Sequence, residues 1–207
     1  MTGKVCASYF DAQTLFFIHI GTPIIAIESG YVEALGWNQY GGWRIGIRSF
    51  DGKRYYYYAH LRQNFPYALE LKEGSVVTAG DVIGYMGHTG YSTKENTNNI
   101  ETVHLHWGLQ LIFDESQKEG NNEIWIDCYA LTRFLYKNRS LTEKKQETKE
   151  WFRHFNMKDP AVETYKQNGT EAAPSAPAIP SDPSQVRESL SPEFFVRIDK
   201  LSLNEEA

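Results

Sequence analysis

Cysteine is nearly absent: Cys6 and Cys128 are the only two in 207 residues, and they stand far apart. That excludes a disulfide framework and any zinc knuckle built from paired cysteines. Long apolar runs are missing too. Leu15-Phe16-Phe17-Ile18, preceded by a single Lys4, is far too short to span a bilayer and too poorly organised for an export signal. Nor is there an excess of positive charge: 21 Lys and Arg against 26 Asp and Glu leave a formal charge of -5, which gives no reason to expect nucleic acid as a partner. No internal repeat is present. What the chain does have is aromatic side chains, with 13 Tyr, 11 Phe and 5 Trp, a composition that favours β-structure.

Residues Met1 to Ile20 carry no readable element. From Gly21 the pattern sharpens. Gly21-Thr22-Pro23 is turn chemistry, Ile24 to Ile27 a short buried strand, and Tyr31 to Trp37 an alternating one. Trp43-Arg44-Ile45-Gly46-Ile47-Arg48 places Trp43, Ile45 and Ile47 on one face and the arginines on the other. Asp51-Gly52 marks a tight hairpin, and Arg54 to Leu61 returns. Glu73 to Gly87 sets glycines between short Val and Ile pairs, a rhythm of sharply bent strands in small barrels or sandwiches. Tyr91 to Thr102 is a polar surface loop that leads into Val103-His104-Leu105-His106-Trp107.

The C-terminal third reads differently. Asp127 is placed to cap a helix with Cys128, Leu131, Phe134 and Leu135 on its apolar face. Ser140-Leu141-Thr142-Glu143 has capping-box form and predicts a second, charged helix through Trp151 and Phe152. From Gln167 onward Ala, Pro and Ser dominate, which reads as a disordered tail. The chain therefore divides into 1-20, an atypical segment; 21-139, a β domain with a terminal helix; 140-166, a charged helical appendage; and 167-207, the tail.

The chemistry lies in the histidines. In a strand, residues i and i+2 share a face, so His104 and His106 would leave the sheet side by side. A His-x-His alone is about as often a half-buried pair bonded to backbone. A second histidine-bearing strand, Tyr58-Ala59-His60-Leu61, changes the odds. If the two strands meet, three imidazoles converge, which suits a zinc hydrolase. His88 beside Gly87 reads as an exposed turn residue, and His154 is assigned no role. Of Tyr55 to Tyr58, alternation sends two rings inward and leaves two that either line a groove or, as such aromatic stripes more often do, pack as core.

Gly-Thr-Pro-Ile-Ile-Ala, Gly-Gly-Trp-Arg-Ile-Gly-Ile, Tyr-Tyr-Ala-His-Leu, Leu-Lys-Glu-Gly-Ser-Val-Val-Thr-Ala-Gly-Asp-Val-Ile-Gly and His-Leu-His-Trp follow one another in an order that resembles lysostaphin-type zinc endopeptidases, over about Gly21 to Phe113. The resemblance implies a mainly β fold, an antiparallel sheet and barrel-sandwich (the duplicated hybrid motif), with C-terminal helices and a tail beside it. It implies hydrolysis of peptide bonds in bacterial peptidoglycan, Zn2+ as cofactor, peptidoglycan peptides as partners and an extracytoplasmic or wall-associated location. By the same resemblance His106 is a zinc ligand, His60 and His104 assist the attacking water and the oxyanion, and Tyr58 and Trp107 border the substrate groove.

The match has a gap. The family takes two further ligands from a His-x-Gly-x-Asp motif ahead of the glycine matching Gly21. Counting back ten and six residues meets Asp11 and Leu15. Leucine cannot bind zinc. Asp11 and His19 are the weak substitutes, although a ligand displaced along a strand lands elsewhere. Two accounts stand: a member of the fold that has lost its metal and serves as a wall-binding or regulatory module, or an altered or truncated N-terminal stretch whose true motif and export signal are missing. The abrupt change at Gly21 favours the second. A swinging-arm carrier domain, which shares the glycine rhythm, lacks its lysine tip here.

Overall fold

In a computed structural model of the chain, residues 19–118 and 122–168 are described. Asp11, Leu15 and the Pro-rich stretch from 169 onward lie outside them.

The strands are β1 (Pro23–Ile25), β2 (Gly30–Asn38), β3 (Gly42–Ser49), β4 (Arg54–Ala59), β5 (Val76–Val77), β6 (Val82–Tyr85), β7 (His106–Leu111), β8 (Ile124–Trp125), β9 (Thr142–Lys144) and β10 (Trp151–Arg153). The helices are α1 (Tyr129–Lys137) and α2 (Pro160–Gln167). Six strands form one sheet in the order β5-β2-β3-β4-β7-β8. Two small sheets, β1-β6 and β9-β10, accompany it, and every pairing is antiparallel. The structure is thus mainly antiparallel β, and no closed barrel is seen among the described residues.

The hairpin at Asp51-Gly52 forms as its chemistry demands. Gly52 is left-handed (φ 73), and the Asp51 carboxylate accepts the Ser49 hydroxyl and the Lys53 N–H at 2.6 and 3.0 Å. Alternation then sorts the side chains. Ile45 and Ile47 of β3 and Tyr56 and Tyr58 of β4 enter a core shared with Ile24, Val32, Leu61, Val77, Ile83, Met86, Trp107 and Cys128. The opposite face of β3 is not solvated throughout. A bulge between Val32 and Ala34 turns Glu33 toward Arg48, which is only 2% exposed and is also bonded to Glu115 and to the Gly52 carbonyl.

Helix α1 starts one residue later than the sequence suggests. Cys128 is the N-cap, and Asp127 reaches past it to accept the Tyr129 N–H at 2.9 Å. Cys128, Leu131 and Leu135 pack on the core as expected, whereas Phe134 is exposed.

The predicted helix from Ser140 to Phe152 does not form. Thr142, Glu143 and Lys144 pair instead with Arg153, Phe152 and Trp151 in a hairpin. Its partners explain the outcome: Glu150 hydrogen-bonds the Tyr85 hydroxyl, Arg153 lies 3.1 Å from Asp81, and Lys145 sits over the Phe152 ring. These contacts across sequence outweigh a weak local propensity for helix. The helix of this region is α2, capped by Asp159 with Pro160 in its first turn.

Candidate functional site

β4 and β7 lie side by side with Ala59 opposite His106, so the two histidine-bearing segments do meet. The strands end just short of two of the histidines. β4 stops at Ala59, and His60 takes a left-handed conformation (φ 60) in which its N–H bonds the Gly41 carbonyl and its own carbonyl accepts the Gly87 N–H. β7 begins at His106, with His104 in the extended chain before it. The rings nevertheless gather. His60 lies 4.9 Å from His104 and 5.3 Å from His106 between ring centroids, and Tyr57 meets His106 edge-on at 5.8 Å.

Two of the three rings, His60 and His104, are oriented by main-chain carbonyls. His60 Nδ1 lies 2.9 Å from the Thr89 oxygen, and His104 Nδ1 lies 2.9 Å from the Thr102 oxygen. A carbonyl only accepts, so both rings carry a proton on Nδ1 and Nε2 is the basic atom of the neutral ring. His60 is only 4% exposed. Burial, partly offset by the bond to Thr89 and reinforced by the neighbouring histidines, pulls its pKa down to about 4. Burial, and then His104, also lowers His106. Both rings are therefore neutral at physiological pH, the form that donates a lone pair.

The polar loop before His104 is tied down rather than loose. Asn64 and Asn96 are both left-handed (φ 69 and 59), and they exchange two hydrogen bonds of 2.8 Å each. The same Asn96 oxygen accepts the Trp43 indole N–H at 2.9 Å. Tyr91, at the head of this loop, stacks loosely on His60 and meets Tyr40 edge-on, and both tyrosines are exposed.

Two expected groove residues are elsewhere. Tyr58 (1% exposed) and Trp107 (6%) face each other across β4 and β7 inside the core, with the Tyr58 hydroxyl accepting the Ile27 N–H. Strand parity explains both: Trp107 must oppose His106, and Tyr58 would share a face with His60 only if β4 continued through it, which it does not. The ring on the histidine side is Tyr57, beside Trp125. Three of the four tyrosines of the run are buried, rather than two. His88 is half-buried, its Nδ1 bonded to the Ile100 carbonyl, not an exposed turn residue. His19 is exposed and lies in a turn closed by Thr22. Thr89, Gly41 and Gly42 were not singled out from sequence; the paired glycines, which signal close backbone approach, were the clue.

Zinc requires several donors converging on one point. Among the described residues no group of three or more His, Cys, Asp or Glu is arranged to hold a metal ion. The described residues alone do not supply such a set: three rings gather, but no carboxylate or cysteine is placed with them to complete the donors.

Residues 12–121 match the profile of Peptidase family M23. The chain belongs to that family. The M23 match begins inside the N-terminal stretch that the sequence left unread. The chain is 35% identical over 126 residues to the L-Ala--D-Glu endopeptidase of Bacillus subtilis, covering 61% of this chain and 36% of that one. It is 44% identical over 79 residues to lysostaphin of Staphylococcus simulans, covering 38% and 15%. The chain therefore spans about a third or less of the length of these curated relatives. Among solved structures, the catalytic domain of lysostaphin from Staphylococcus simulans is 35% identical, with a TM-score of 0.41, over 57% of this chain and 75% of that one.

Proposed function

We propose that this M23 chain is a metalloendopeptidase domain that hydrolyses peptide bonds of bacterial peptidoglycan outside the cell membrane. The observation that carries the reading is the gathering of His104 and His106 around His60, at 4.9 and 5.3 Å between ring centroids, on a stretch inside the family match. The relatives' names, an L-Ala--D-Glu endopeptidase and lysostaphin, support the substrate class. No helix among the described residues is long and apolar enough to cross a membrane.

In this reading His106 is a donor to zinc, and Asp11 and His19 are the candidates for further donors. His60 and His104 are the acid–base pair: with Nδ1–H bonded to a carbonyl in each, Nε2 is the atom that takes the proton of the attacking water and returns it to the leaving amine. The unit that does this is 21-139, with Tyr57 in place of Tyr58 as the aromatic edge of the groove.

Metal content and hydrolysis test the roles together. After zinc loading and dialysis, the full chain should retain zinc. His106→Ala should lose both metal and hydrolysis of wall peptides. His60→Ala and His104→Ala should keep the metal and lose about a hundredfold or more in rate. Full hydrolysis in all three variants overturns the assignment. Binding to sacculi without cleavage by the unaltered chain would instead identify a wall-binding module of the same fold.

A further inference from the structure

We infer that Thr89 is a positioning residue for His60, its carbonyl held in place so that the His60 ring is fixed in the Nδ1–H tautomer. The inference rests on the role proposed above for His60, but its test does not depend on that role.

Thr89 is completely buried, and both its hydroxyl and its carbonyl are engaged next to His60. Its hydroxyl donates to the Leu61 carbonyl at 2.6 Å and accepts the Trp43 N–H at 3.1 Å. One side chain thus joins the residue after His60 to the start of β3. Its carbonyl accepts the His60 Nδ1–H at 2.9 Å. The backbone of another segment approaches that carbonyl closely. A Cβ on Gly42, which is left-handed, would lie 2.4 Å from the Thr89 carbonyl carbon and 2.5 Å from its oxygen. A Cβ on Gly90 would lie 2.5 Å from the Tyr40 oxygen. The chain at 40–42 therefore presses directly on 89–90, and only glycine permits that approach.

The histidine is gripped from its own backbone as well, through Gly41 and Gly87. With Nδ1 tied to Thr89, the ring has one nitrogen left for chemistry. A ring free to exchange tautomers would spend part of its time with a proton on Nε2 and no lone pair to offer there. Orientation by an acceptor on the far nitrogen is the common device for keeping an imidazole in one working form. Here the acceptor is a main-chain carbonyl, and the threonine hydroxyl keeps it aimed.

A merely structural threonine would alter stability when replaced, without altering the ring. The two roles separate in the 15N chemical shifts of the His60 imidazole, recorded on the full chain and assigned with His60→Gln. The unaltered protein and Thr89→Ser, which retains the hydroxyl, should show one Nδ1–H tautomer. Thr89→Val should show mixed tautomers, with kcat on wall peptides lowered about tenfold or more and KM nearly unchanged. Thr89→Ala serves if the valine variant does not fold. An Nε2–H tautomer in the unaltered protein, or an unchanged tautomer in a folded Thr89→Val or Thr89→Ala, overturns the inference. Because the tautomer is read without turnover, a chain that hydrolyses nothing still tests it, and absent hydrolysis alone counts against the proposed function instead.

Discussion

His60 and Arg48 show two ways of burying a group that can carry charge. His60 is buried neutral, with a pKa near 4 against the ordinary value of 6.5. The unfolded chain therefore binds the extra proton first, and the stability gained by keeping the ring neutral is fully present above pH 6.5 and is lost as pH falls toward 4. Comparing urea unfolding of the unaltered protein and His60→Gln across that range should show a steeper acid loss for the unaltered protein, by up to about 3 kcal/mol. Parallel pH dependence in the two would contradict it. Arg48 is buried charged, and its stability depends on Glu33 more than on Glu115, because Glu115 is largely exposed while Glu33 is not. Glu33→Ala leaves a buried guanidinium short of its inner partner and should cost about 3 kcal/mol in the same assay. A cost below about 1 kcal/mol would mean that water or Glu115 replaces the carboxylate.

At the scale of elements, the turns and docking contacts hold the histidine strands in register. Gly42→Ala adds a Cβ against the Thr89 backbone at a left-handed position, and it should destabilise by more than about 2 kcal/mol by thermal unfolding. Helix α2 is held by Tyr165, whose ring stacks on Phe50 at 4.5 Å and on Tyr31 at 5.9 Å. Tyr165→Ala should lower the melting temperature by a few degrees, about 1–2 kcal/mol, and leave hydrolysis unchanged. A loss of hydrolysis would tie α2 to the site. Much of this was legible in the sequence. The Asp51-Gly52 hairpin, the strand from Trp43 to Arg48 and most of the apolar stripe of α1 follow from local rules of period and turn chemistry, whereas the meeting of the His60 and His106 segments was only a condition of the sequence reading. The hairpin β9–β10 was not legible, because its stability comes from Tyr85 and Asp81, more than sixty residues away in sequence. The placement of Tyr58 was misread because the chain leaves β4 just before His60, which reverses parity, and that of Trp107 because its neighbour His106 already takes the site face. Thr89 was invisible because its role runs through a carbonyl, which every residue has.

The whole molecule combines a stretch shared with the M23 peptidases and a C-terminal part beyond residue 121 that the family match does not include. That part supplies β8, α1, the β9–β10 hairpin and α2, and it contacts the shared region through Cys128, Tyr85 and Tyr31. Its removal should therefore destabilise the sheet rather than release an independent peptidase. The central claim concerns the histidine face, and the fragments released from purified peptidoglycan sacculi test it most directly, read by mass spectrometry for the full chain and for His60→Ala. The account predicts peptide-bond cleavage, seen as new amino termini in the stem or bridge peptides, by the full chain and not by the variant. Identical fragments from both, or glycan fragments with every peptide bond intact, would contradict it.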